Sequence, residues 1–88
     1  MEEIRIYDFL KTLPSNSHFY MSRNPSVTLS GSVDGRAIAI LVLGPNRRMT
    51  KTQINFSSRF IRAGGEYLTI RNLSDITEIA KIKGWFDD

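Results

Sequence analysis

Apolar positions along this chain alternate between helical and extended spacing, and the alternation predicts seven elements. Ile6, Phe9, Leu10 and Leu13 recur at i, i+3, i+4 and i+7, the spacing of one buried helical stripe, which predicts a first helix over Glu2–Leu13. Glu2 and Glu3 suit the positive end of its dipole, and Pro14 disfavours a helical Leu13 and marks the stop. After the polar connector PSNS, HFYMSR reads as a strand, with Phe19 and Met21 on one face and His18 and Tyr20 on the other. Asn24 and Pro25 interrupt the pattern. VTLSGSV is a second strand in which Gly31 is a candidate bulge, and Asp34-Gly35 is a strong two-residue hairpin signal.

The third strand, Arg36–Leu43, is apolar on both faces: Ile38, Ile40 and Val42 on one, Ala37, Ala39, Leu41 and Leu43 on the other. Such a strand is central in its sheet and covered by helices on at least one face. The loop GPNRRM is basic and turn-forming. Thr50-Lys51-Thr52-Gln53 then fits a capping box, with Thr50 as N-cap, Gln53 at N3, and Met49 and Ile54 placed for a hydrophobic staple. The helix that follows has Phe56, Phe60, Ile54 and Ile61 on one half of its wheel, with Gln53 as the one large polar residue there. Lys51, Asn55, Arg59 and Arg62 fill the other half. Gly64-Gly65 ends the helix, EYLTIRN is a fourth strand, and Ser74 is read as the cap of a last helix running through Lys83. Gly84 is a C-cap glycine after which Trp85 can fold back on the core. The order is α-β-β-β-α-β-α, a small α/β domain with a central mixed sheet flanked by helices.

Composition narrows the chemistry. Eighty-eight residues with 41% hydrophobic and 10% aromatic content make one folded domain spanning residues 1–88. A core of that size is modest, so pairing with a second copy as a homodimer is expected to help. There is no cysteine, which excludes disulfides and thiolate metal sites, and the single histidine, His18, excludes multi-histidine zinc sites. The N-terminal MEEIRIYDFLKTLP is neither a signal peptide nor a membrane span, so the expectation is a soluble, cytoplasmic protein with no membrane partner. GPNRR lacks the glycine spacing and the Lys-Ser/Thr ending of a P-loop, and one unsupported histidine makes no Ser-His-Asp triad.

Charge changes the picture more. The net charge is +3, but Arg36, Arg47, Arg48, Lys51, Arg59, Arg62 and Arg71 give the segment Arg36–Arg71 a net +6, with Glu66 its only acid. The remainder carries −3. That asymmetry is what a phosphate-facing surface needs, and a solvated helix face beside a basic loop is the structural alternative.

From Gly35 to the last helix the ordered series Gly35-Arg36, Gly44-Pro45, Arg48, Thr50, Gln53, Ala63-Gly64-Gly65 and Ser74 resembles the virus-type replication-repair nuclease (VRR-NUC) domain of the PD-(D/E)xK superfamily. The resemblance implies a restriction-endonuclease-like fold and, in active members, a magnesium-dependent nuclease. There a divalent cation is held by an Asp and by the Glu of an E-x-K motif, whose Lys helps to position the attacking water. Viral and phage stand-alone members resemble small dimeric resolvases of Holliday (four-way) junctions. In this chain the three positions fall at Thr28, Leu41 and Leu43, and a hard cation has no oxygen ligands there. Glu3 stands where the family has a helix-one acid, and Gln53 matches the family glutamine, for which the capping box is a sufficient structural reason. The resemblance therefore implies a catalytically inactive domain that needs no cofactor and binds branched or structured DNA. Arg47, Arg48 and Lys51 would grip backbone phosphate, with Arg36, Arg59, Arg62 and Arg71 as additions. The alternatives are a protein-interaction or inhibitor module on the same fold and, more remotely, a metal-dependent endonuclease that retains magnesium.

Overall fold

The computed structural model describes residues 2–14 and 16–86, so Ser15 of the PSNS connector lies outside the described residues. Its elements are α1 (Glu2–Leu10), β1 (Ser17–Met21), β2 (Leu29–Val33), β3 (Arg36–Val42), α2 (Lys51–Arg62), β4 (Glu66–Ile70) and α3 (Leu73–Lys83), the order the periodicity predicts. The four strands form one mixed sheet in the order β1-β2-β3-β4. β1, β2 and β3 are an antiparallel meander, and β3 and β4 are parallel across the α2 crossover.

Register sorts the side chains between two layers. Phe19, Leu29, Val33, Ile38, Ile40 and Ile70 share one face, and α1 and α3 close it with Ile6, Leu10, Ile76 and Ala80. Ile6, Leu29, Ile40, Ile76 and Ala80 are wholly removed from water. Trp85 folds back as expected: its amide donates to the Ala80 carbonyl at 2.9 Å, and its ring lies 5.9 Å from that of Phe19. The opposite face carries Tyr67 of β4, against which Phe56 and Phe60 of α2 pack. The tight β2–β3 turn has Asp34 at φ 53° and Gly35 at φ 80°, the left-handed pair that a primed hairpin turn requires.

Several local expectations change. The first helix ends at Leu10 rather than Leu13, because the Thr12 and Leu13 amides turn to carbonyls three residues back and tighten the chain before Pro14. Leu13 still reaches the core. Gly31 is no bulge, since its ladder is in register with β1 and β3. A side chain there would strike the Phe19 ring and the His18 carbonyl, so close approach is what requires glycine. The irregularity sits instead at Thr28, outside β2, whose amide donates to the Ile40 carbonyl while its hydroxyl accepts the Val42 amide at 2.9 Å. The last helix is capped by Asn72, not Ser74: the Asn72 side chain accepts the Asp75 amide at 3.0 Å. Glu2, from the far end of the chain, accepts the Leu73 amide at 2.6 Å, so an acid read as serving its own helix also closes α3.

Candidate functional site

The helix that follows the basic loop starts as predicted. Thr50 Oγ1 accepts the Gln53 amide at 3.1 Å, and Gln53 Oε1 accepts the Thr50 amide at 2.9 Å, a complete capping box. The other end of the Gln53 amide group donates to the Pro25 carbonyl at 3.2 Å, tying the helix to the β1–β2 connection. At its C-terminus the Gly65 amide donates to the Phe60 carbonyl and the Gly64 amide to that of Ile61, the paired bonds of a Schellman stop. The apolar half of the wheel is only partly used. No α2 residue is fully buried; Phe56 and Phe60 are half-buried, while Ile54 and Ile61 are 49% and 55% exposed. An amphipathic pattern names the face that turns inward, but the area of sheet beneath it decides how much is buried. Here α2 packs against β4 and leaves the β1–β2 half of that sheet face uncovered.

The three positions aligned with nuclease chemistry come together at the C-terminal end of β3. Leu41 is 4% exposed and Leu43 8% exposed, both on the α2 side, with the Thr28 hydroxyl occupied by the Val42 amide. These groups do not fit a magnesium ion, since methyl groups and one committed hydroxyl offer it no ligand set. Among the described residues no three His, Asp or Glu side chains converge on a point where a cation could be shared.

The predicted basic residues separate into groups. Arg47, Arg48 and Lys51 are exposed at the loop and the first turn of α2, and Arg59 and Arg62 are exposed further along the same helix, Arg62 about 16 Å from Lys51 at 1.5 Å per residue. Arg36 is not with them. It opens β3 at the opposite end, about 20 Å away along the strand, and faces the α1/α3 layer, where its Nε lies 3.7 Å from Glu66 Oε2. Glu66 also pairs with Lys83. Arg71 is committed to structure: its guanidinium donates to the carbonyls of Gly44 at 2.8 Å and Arg47 at 2.9 Å, bracing the basic loop from β4's end. Nothing in the sequence marks that strut.

Layering separates charge as well. Of the acids in the described residues, Glu2, Glu3 and Asp8 lie on α1, Asp75 and Glu78 on α3, Glu66 faces the same layer, and Asp34 is at the hairpin tip. None lies on the α2 side, since the chain has no acid between Gly35 and Gly65. Burial raises the pKa of Tyr67 above the ordinary 10.0, and its hydroxyl donates to the Ser26 carbonyl across the sheet. No family model matches this chain, and no curated protein or solved structure matches it.

Proposed function

We propose that this chain is a catalytically inactive, nuclease-like domain of the VRR-NUC type that binds branched or structured DNA through the loop before α2 and through α2 itself. One observation carries the reading: an α2 side that bears Arg47, Arg48, Lys51, Arg59 and Arg62 with no carboxylate among them. Phosphate contacts of this kind recognise backbone geometry and weaken steeply with salt. Leucines at the Glu and Lys positions separate binding from cutting, because a buried methyl group neither holds a cation nor activates water.

The test is one titration of linear, forked and four-way DNA at low salt, with and without magnesium, read on a gel that reports both binding and cleavage. Binding without cleavage is expected, and Arg47→Ala with Arg48→Ala should weaken it for every sequence. Unchanged affinity of that double variant sinks the assignment of the loop. A protein partner is the second reading, favoured by Ile54 and Ile61 standing half exposed seven residues apart on α2. Light scattering would register a homodimer, and loss of the larger species in Ile54→Lys/Ile61→Lys would place the contact there.

A further inference from the structure

The half of the sheet face that α2 leaves open is a trough with aromatic and basic walls. His18 and Tyr20 stand on β1, exposed, with ring centroids 6.3 Å apart, and Tyr20 is 51% accessible. Ser30, Ser32 and Ala37 form a low floor beside them, and Tyr20 lies in the same cross-strand row as Ser30, Ala39 and Tyr67. Three strand spacings separate Tyr20 from Tyr67, about 14 Å. The far wall is α2. Its Phe56 and Phe60 pack against Tyr67, and Arg59 lies beside both. Phe56, Arg59 and Phe60 line a groove of about 350 Å³ on that wall. Arg23 follows β1 at the same end of the sheet as Arg47 and Arg48.

We propose that this trough binds a single-stranded segment of DNA, with an unpaired base stacked on Tyr20, a neighbour on His18, and the backbone held by Arg59 and the basic loop. The proposal rests on the reading of the α2 side as a phosphate-binding surface and specifies its ligand. Charge complementarity selects a polyanion, since this side carries cations and no described acid. The aromatics select among polyanions: a ring standing in water on an open sheet gains from the face of a base, and in a closed duplex those faces are occupied by neighbours. Small residues on the floor leave room for a base to lie flat beside Tyr20. Structured DNA with a fork or a flap supplies both the duplex backbone for Arg47 and Arg48 and the unpaired strand for the trough.

The experiment compares an oligothymidine of about 20 nucleotides with a duplex of the same length, by fluorescence anisotropy at low salt. The wild-type chain should prefer the single strand. Tyr20→Ala should weaken single-strand binding about tenfold, the scale of one lost base–aromatic stack, and leave duplex binding unchanged. Tyr20→Phe should retain wild-type affinity. Because Tyr20 is half exposed on an edge strand, an unchanged thermal midpoint for Tyr20→Ala is the control for folding. Equal affinity of Tyr20→Ala and wild type for the single strand, or equal weakening of both DNA forms, overturns the trough while leaving the basic loop's role standing. Failure of wild type to bind either form overturns both.

Discussion

Arg71 offers a direct way to separate a strut from a phosphate contact. Its guanidinium bridges two carbonyls of the basic loop, Gly44 at 2.8 Å and Arg47 at 2.9 Å, while its own amide is held by Asp75 Oδ2 at 2.9 Å. Hydrogen bonds from a charged donor contribute about 1.5–3 kcal/mol each where water is excluded. Arg71 is exposed, so a discount to about 0.5–1 kcal/mol per bond is appropriate, and Arg71→Ala should cost about 1–2 kcal/mol. For a domain of this size each kcal/mol lowers the midpoint by about 4–8 °C. Arg71→Lys is the sharper variant, because a single ammonium keeps the charge but cannot span two carbonyls in fixed fork geometry. Urea unfolding and DNA titration across a salt series should be run on the same preparations. We expect Arg71→Lys to lose about half the stability that Arg71→Ala loses, with the salt slope unchanged in both. If Arg71 instead contacts phosphate, Arg71→Ala will lower the slope by about 0.9 with no loss of stability. That result would refute the strut.

Other positions carry separate tests. Leu41→Glu buries an unpaired carboxylate and should cost about 3–5 kcal/mol of a total near 4–13 kcal/mol, while Leu41→Met should cost less than about 1.5 kcal/mol. Burial raises the new carboxyl's pKa, so the deficit should be small near pH 4 and grow toward pH 7; equal urea midpoints for the two variants would contradict a buried Leu41. Gln53→Ala removes one arm of the capping box and the tie to Pro25, and should lower stability by about 1 kcal/mol. Unaltered unfolding together with lost DNA binding would make Gln53 a functional rather than a structural residue. Burial raises the folded pKa of Tyr67 above 10.0, so the unfolded chain ionises first. The stabilisation is therefore intact below that pH and is lost as pH rises through the folded value. As pH rises through and above 10.0 the wild type should lose stability more steeply than Tyr67→Phe, and parallel profiles would show that the hydroxyl is not desolvated.

What could be read from the sequence divides by range. The order of elements, the I′-type hairpin, the Thr50–Gln53 cap and the return of Trp85 depend on residues near one another in the chain, and each is present. Asn72 and Ser74 are both good N-caps two residues apart, and local preference does not rank them. A tertiary contact favours Asn72, since Glu2 closes the Leu73 amide, and the local bond from the Arg71 amide to Asp75 adds to it. Gly31 looks like a bulge until the Phe19 ring is placed over it. Arg36 and Arg71 count as free cations in the sequence, but one faces Glu66 and the other holds two loop carbonyls. Long-range partners of polar groups leave no periodic trace.

The leucines at positions 41 and 43 and the open trough are parts of one physical arrangement. An active member of the nuclease family proposed above would place its carboxylates where β3 meets the loop before α2 and would need that end open to substrate and water. Here the same end is closed by Leu41, Leu43 and the Tyr67–Ser26 bond on the α2 side. No carboxylate stands at that end, and the loop and first turn of α2 beside it carry Arg47, Arg48 and Lys51. The accessible part of the sheet is the β1–β2 half that α2 leaves uncovered. On the proposed reading, the burial that leaves no metal ligand at this end also leaves no carboxylate beside the basic loop. The two must be separable by mutation: substitutions at Leu41 should act on stability, and substitutions at Tyr20 and Arg59 on binding alone.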